Sequence, residues 1–185
     1  MQITMIRHLP TEWNKKTWLQ GRRDIGLSQV SDEQAKGIEM NQKILDELAP
    51  FDLVIASTLQ RTHQTAALYG YSCEADGLVD ELDFGPFEGI PKNVLIEKHG
   101  NIWIENPKEL VLGESLQNLE DRIVQFLNKY SEFSNLLVFG HGSWIRAMLS
   151  YAKYGDINNM NKVEVLNNSC HTLIMNPRVK REREC

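Results

Sequence analysis

The sequence predicts an α/β protein: a three-layer α/β/α sandwich with a mainly parallel central sheet and a small inserted lid. Short apolar, β-branched runs alternate with amphipathic helical patterns, the order that gives a sheet covered on both faces. Polar and charged residues gather just after those runs, where open α/β sheets place their ligands. Residues 84–115 break the alternation with Pro86, Gly89, Pro91, Gly100, Pro107 and Gly113. That stretch reads as a lid rather than a second domain, leaving residues 1–185 as a single domain.

The elements follow in order. Ile3–Arg7, Phe51–Ala56 and Leu136–Phe139 have the length and content of buried strands. A fourth strand is expected at Val163–Leu166 or Thr172–Met175. Ser31 with Gln34 forms a capping box, and Ala35, Ile38, Leu45 and Leu48 follow on one helical face. Leu116, Leu119, Ile123, Phe126, Leu127 and Tyr130 recur at helical spacing. A further helix starts near Ser143 and stops at Gly155, and Arg61 lies one turn into a helix after the second strand.

Composition narrows the function classes. The net charge is −5, which gives no electrostatic footprint for wrapping nucleic acid or coating an anionic membrane. No apolar run approaches the roughly 18 residues of a membrane span. The apolar start Met1–Ile6 meets Arg7 and His8 too early for a signal peptide. Cys73, Cys170 and Cys185 match no metal or redox spacing and read as reduced thiols. These features lead us to expect a cytoplasmic protein without a resident metal or cofactor. The mixed-charge tail, with Arg178, Lys180, Arg181 and Arg183 beside Glu182 and Glu184, reads as a solvated end. The oligomeric state is not legible.

Three strand ends carry chemistry. The first delivers Arg7 and His8, with Asn14 shortly after; the second ends at Ser57, with Arg61 beyond; the third ends in Gly140-His141-Gly142. A lone histidine after a strand is more often structural, and His63, His99 and His171 are read that way. Two arginines and two histidines at one sheet edge are a different matter. Guanidinium forks match phosphoryl oxygens, an imidazole can carry a phosphoryl group covalently, and a second can steady the spreading charge. A carboxyl group must then serve the leaving oxygen and the attacking water.

Six motifs, in order, carry a resemblance to a known family. Arg7-His8 with Thr11 and Asn14 resembles an R-H-G-x-[ST]-x-x-N opening, and Gln20-Gly21 through Leu27-Ser28 resembles the loop after it. Ser57 to Ala66 is similar to S-x-L-x-R-x-x-[QE]-T-A. Glu81 to Gly89 is similar to E-x-x-F-G-x-W-E-G, Gly113-Glu114-Ser115 to a G-E-S element, and Gly140-His141-Gly142 to a second histidine motif. Together they resemble the histidine phosphatase superfamily, the phosphoglycerate mutase-like family.

The resemblance implies His8 as phosphoryl acceptor and Glu81 as general acid, with Glu88 its rival. It implies Arg7, Arg61, His141 and Asn14 as the phosphate pocket, with a small phosphate monoester as partner. One position departs from the pattern: Leu9, followed by Pro10, stands where the family has glycine. Side chains of Arg7 and His8 precede the change, so activity is expected to survive it.

Between Glu74 and Asp121 twelve acids face only Lys92, Lys98 and Lys108. Such a lid is expected to repel polyanions and to favour a neutral, apolar or cationic leaving group, with Phe87, Ile102, Trp103 and Ile104 serving equally well as an apolar wall or as buried packing of the lid. The lid and motif spacing look most like the phosphatase branch and its α-ribazole phosphatases, with a broad sugar or nucleotide phosphatase close behind. A mutase-type phosphoryl transferase and a non-catalytic phosphate-binding regulator remain as alternatives.

Overall fold

The computed structural model describes residues 1–175. Its strands are β1 (Gln2–Arg7), β2 (Leu53–Ala56), β3 (Glu74–Ala75), β4 (Asn135–Gly140) and β5 (Cys170–Ile174). They form one sheet in the order β3-β2-β4-β1-β5. All neighbours are parallel except β5, which runs antiparallel to β1. The helices are α1 (Glu12–Lys15), α2 (Asp32–Leu48), α3 (Gln60–Leu68), α4 (Lys92–Glu105), α5 (Leu116–Lys129) and α6 (Gly142–Tyr154).

Strand alternation builds the three layers. On β4, Leu136 and Val138 pack with Ile123 and Phe126 of α5 and Trp144 and Met148 of α6. Leu137 and Phe139 point to the other face, among Ile38 and Leu45 of α2 and Ala66 and Tyr69 at the end of α3. Successive residues therefore enter opposite cores, as a sheet buried on both faces requires. Along α5 Leu116, Leu119, Ile123 and Phe126 are fully buried, each contributing about 1.5–3 kcal/mol of transfer free energy. Ser31 and Gln34 form the expected capping box on α2, and α6 ends at Gly155 as expected.

The differences have physical causes. Of the two C-terminal candidates, the strand is the later one; Val163–Leu166 is loop, and the Val165 carbonyl is taken by the Arg7 side chain at 2.7 Å. The second strand begins at Leu53 rather than Phe51, whose ring instead packs edge-on against Tyr71. Residues 84–115 hold a helix, α4, that their prolines and glycines concealed; it breaks at Gly100 yet buries Leu95 and Trp103. The charged tail lies outside the described residues. Among those described, no helix is long and apolar enough to cross a membrane.

Candidate active site

Strand register brings the chemistry together. Arg7 pairs with Gly140 across β1 and β4, and Ala56 pairs with Phe139 across β2 and β4. The next residues along each strand, His8, His141 and Ser57, therefore emerge side by side. Above them opens a cavity of about 260 Å³ lined by Arg7, His8, Asn14, Arg61 and Glu81 among others. His141 does not line it but lies against His8, ring centres 5.3 Å apart.

Hydrogen bonds set the state of each group. His8 Nδ1 lies 2.6 Å from the Leu9 carbonyl. A carbonyl can only accept, so Nδ1 carries the proton and Nε2 keeps its lone pair. Burial, then the charges of Arg61 and Arg7, push His8 well below the usual imidazole range, which keeps the ring neutral. Burial and the same arginines do likewise to His141. His141 Nε2 contacts Ser57 Oγ at 2.7 Å, while its Nδ1 is buried without a partner.

Burial brings Arg7 down to about 10. The Arg61 guanidinium donates to the Arg23 and Gly21 carbonyls, both at 2.8 Å. Asn14 is fixed by a capping box on α1, its Oδ1 accepting from the Thr11 backbone N–H at 3.1 Å.

Glu81 caps α6 from outside the helix. Its carboxylate accepts from the backbone N–H of Ser143 at 3.1 Å and of Trp144 at 3.3 Å, where His141 offers no side-chain cap. Helix N-termini favour negative charge and need such acceptors. The flanking chain is held on both sides. Asp80 accepts from the Thr58 backbone and hydroxyl, and from Arg22. Arg122 binds the Leu78 and Asp80 carbonyls and pairs with Glu114 at 2.6 Å.

The rival, Glu88, faces elsewhere. It takes the Arg22 N–H at 2.7 Å and pairs with Arg23, so it fastens the loop that Arg61 holds from the other side. Gly21 is glycine for that reason: its φ is +52° and a Cβ would come within 1.9 Å of Glu88 Oε1.

Leu9 proves compatible with the pocket. It is buried in the core beneath α2 and α3, and its N–H reaches Thr65 Oγ1 at 3.0 Å. Its φ is not positive, so the position does not need glycine here. His63 and His171 bond Ser57 and Ser169, and His99 packs on Phe87; none of the three lines the cavity.

The rim holds residues that the sequence did not announce: Trp18, Lys92, Ser143, Arg146, Val165 and Asn167. Asn167 donates to the His8 carbonyl at 2.9 Å. Thr17 lines the cavity with φ +58°, a strained conformation for a β-branched residue. It turns the chain so that Trp18 bridges to Pro91. For Arg146 a signal existed: it lies one turn into the helix that His141 begins.

The structure decides two expectations about the lid. Of the two readings of its apolar residues, packing holds for Phe87 and Trp103, which are buried in the core and do not line this cavity, and Ile102 is exposed. The apolar wall comes instead from Trp18, Leu19, Phe84 and Val165. Nor do the lid's acids face the site. Asp80, Glu88, Glu105, Glu114 and Glu120 pair with Arg22, Arg23, Lys162, Arg122 and Lys108. Only Glu81 reaches the cavity, against Arg7, Arg61, Lys92 and Arg146. Fixed ion pairs, which a residue count ignores, already engage these five acids.

Solved structures share this architecture. Rv3214 of Mycobacterium tuberculosis superposes with a TM-score of 0.80 at 23% identity, over 96% of this chain and 93% of that one. The α-ribazole phosphatase of Shigella flexneri gives 0.75 at 20% identity, over 96% and 92%. Among curated proteins, the chain is 27% identical over 162 residues to the uncharacterized phosphatase PhoE of Bacillus subtilis, covering 83% of this chain and 78% of that one. It is 27% identical to a Hydrogenobacter thermophilus protein named for a phosphoserine phosphatase activity, covering 80% and 76%. A protein of Enterobacter named for phosphoglycerate mutase activity, GpmB, is 29% identical, covering 81% and 74%. Residues 3–183 match the histidine phosphatase superfamily (branch 1), and the chain belongs to that superfamily.

Proposed function

We propose that this chain is a phosphomonoesterase that hydrolyses a small phosphate ester through a phosphohistidine on His8. The carrying observation is the 2.6 Å contact from His8 Nδ1 to the Leu9 carbonyl, which leaves Nε2 unprotonated in a cavity lined by Arg7 and Arg61. Nε2 attacks phosphorus while the bond to the leaving oxygen breaks. The proton that a monoanionic ester brings passes through the Glu81 carboxylate to that oxygen, and Glu81 then takes one from the water that cleaves the phosphohistidine and releases inorganic phosphate. Arg7, Arg61 and Asn14 hold the phosphoryl oxygens, and His141 backs the pocket through its ring contact with His8. The guanidinium groups supply the positive charge that this displacement needs, and the reaction uses no cofactor. The single-domain, cytoplasmic assignment belongs to the same reading.

The test is hydrolysis of p-nitrophenyl phosphate in EDTA. His8→Ala is expected to lower kcat by at least about 10³-fold, and rapid acid-free quenching should trap a phosphoenzyme in wild type alone. Equal rates in the two proteins overturn the nucleophile. The Lys92 and Arg146 cations favour one second reading, a mutase. Isomerisation of 3-phosphoglycerate faster than its hydrolysis would establish it.

A further inference from the structure

Glu81 is the group assigned to pass a proton to the leaving oxygen, and backbone N–H groups fasten its carboxylate. Oε1 takes three of them, from Leu82 at 2.9 Å, Ser143 at 3.1 Å and Trp144 at 3.3 Å, whereas Oε2 shares only that of Ser143. Oε2 is therefore the oxygen left to carry a proton into the cavity that Glu81 lines. Such a carrier must be fixed at its root as well as at its head, because about 1 Å of misplacement can cost about 10²-fold in rate.

The root of Glu81 is fastened by Arg22. Arg22 Nε donates to the Glu81 carbonyl at 2.7 Å, and Nη1 pairs with Asp80, the preceding residue, at 2.9 Å. A guanidinium fork spans a carbonyl and a carboxylate at once, which the point charge of an ammonium does not. Arg22 does not line the cavity, so any effect it has on the chemistry passes through its neighbours.

The main chain of Arg22 is held in turn. Arg61 donates to the carbonyls on either side of it, Gly21 and Arg23, both at 2.8 Å. Its own N–H goes to Glu88 Oε1 at 2.7 Å, an approach that the missing Cβ of Gly21 permits. A continuous run of bonds thus joins Arg61, at the phosphoryl pocket, to the backbone of Glu81.

Resting on the phosphatase reading above, we propose that Arg22 is a positioning residue that holds the Glu81 carboxylate in register with the phosphoryl group bound by Arg61. Glu88, which does not reach the cavity, serves the same end by anchoring the Arg22 N–H.

Leaving-group dependence tests it. p-Nitrophenyl phosphate and phenyl phosphate offer the same phosphoryl group on nearly the same ring. The first releases a weakly basic phenolate that needs little protonation, the second a more basic one that needs it. The readout is the ratio of kcat/KM for the first ester to that for the second, at one pH within one protein, so a general loss of activity or of folded protein cancels. Glu81→Gln, which removes the carrier, is expected to raise the ratio at least about tenfold over wild type. Arg22→Gln is expected to raise it about 3–10-fold, and Arg22→Lys, which keeps the charge and one of the two contacts, about 2–3-fold. The Arg22 side chain is 35% exposed, so the conservative Lys variant reports even where Arg22→Gln folds poorly.

Wild-type ratios in both Arg22 variants beside a raised ratio in Glu81→Gln overturn the role of Arg22 alone, since loop packing moves both esters together. A wild-type ratio in Glu81→Gln overturns the general-acid assignment, and wild type inactive on both esters overturns the phosphatase reading. The role of Arg22 falls with either.

Discussion

The floor and the rim of the cavity are built by different rules. The floor, Arg7, His8, Ser57, Arg61 and His141, comes from the ends of three parallel strands and the helices or loops directly after them. Sheet register makes His8, Ser57 and His141 neighbours, and backbone carbonyls then fix the tautomer of His8 and the directions of Arg7 and Arg61. The rim, Thr17, Trp18, Lys92, Arg146, Val165 and Asn167, is drawn from separate loops and helix turns joined by long-range contacts. The floor is tied to the sheet, while the rim is assembled from parts outside it that still reach the floor, as Asn167 does at the His8 carbonyl.

The contrast breaks most visibly at Arg61. Its two Nη atoms hold the Gly21 and Arg23 carbonyls, a forked geometry that an ammonium cannot copy. Arg61→Lys is expected to lower kcat/KM for p-nitrophenyl phosphate by about 10²–10³-fold, about 3–4 kcal/mol. A loss under fivefold would mean that the floor does not hold the phosphoryl group.

A pH titration of stability tests the floor differently. His8 and His141 lie well below 6.5 in the folded chain, whereas in the unfolded chain they titrate near that value. Below about pH 6.5 the unfolded chain binds more protons, so stability is full above that pH and is lost as pH falls toward the folded values. Each ring contributes at most about 1.4 kcal/mol per pH unit. Urea unfolding at pH 7.0 and 5.5 should show a smaller drop for His141→Asn than for wild type. Equal drops would show that His141 contributes none of the acid sensitivity.

These two regions also mark how far the sequence could be read. The floor was legible because it needs only strand ends, and Arg7, His8, Asn14, Arg61 and Glu81 all line the cavity. The two carboxylates are placed differently: Glu81 caps α6 and lines the cavity, and Glu88 anchors the Arg22–Arg23 loop. The rim was not legible, because Asn167 meets His8 across 159 positions of chain and no local pattern encodes that distance. The lid's charge misled for a related reason, since acids counted along the chain had already been spent on Arg22, Arg23 and Arg122.

Between floor and rim lies the loop at Gly21. Gly21→Ala would press a methyl group onto Glu88 in a left-handed conformation, at an expected cost of about 1–3 kcal/mol in urea unfolding. Glu88→Ala in the same chain should recover the steric share and leave about 1 kcal/mol of backbone strain. Full additivity of the two losses would show that the contact is not where the cost arises.

The smallest expected effect separates positioning from packing at the rim. Asn167 Nδ2 donates to the His8 carbonyl at 2.9 Å and approaches Asn14 Oδ1 at 3.5 Å, so one amide steadies both the His8 backbone and the Asn14 side chain. Asn167→Ala removes the donor and leaves the carbonyl to water; kcat is expected to fall about 3–10-fold, about 1 kcal/mol, with KM nearly unchanged. Asn167→Asp keeps the shape but turns an oxygen toward two oxygens. If the amide acts as a donor, Asp must be worse than Ala; if it merely fills space, Asp, the closer isostere, must be better. That order of the two variants decides whether the rim only selects substrates or also helps to hold the floor in place.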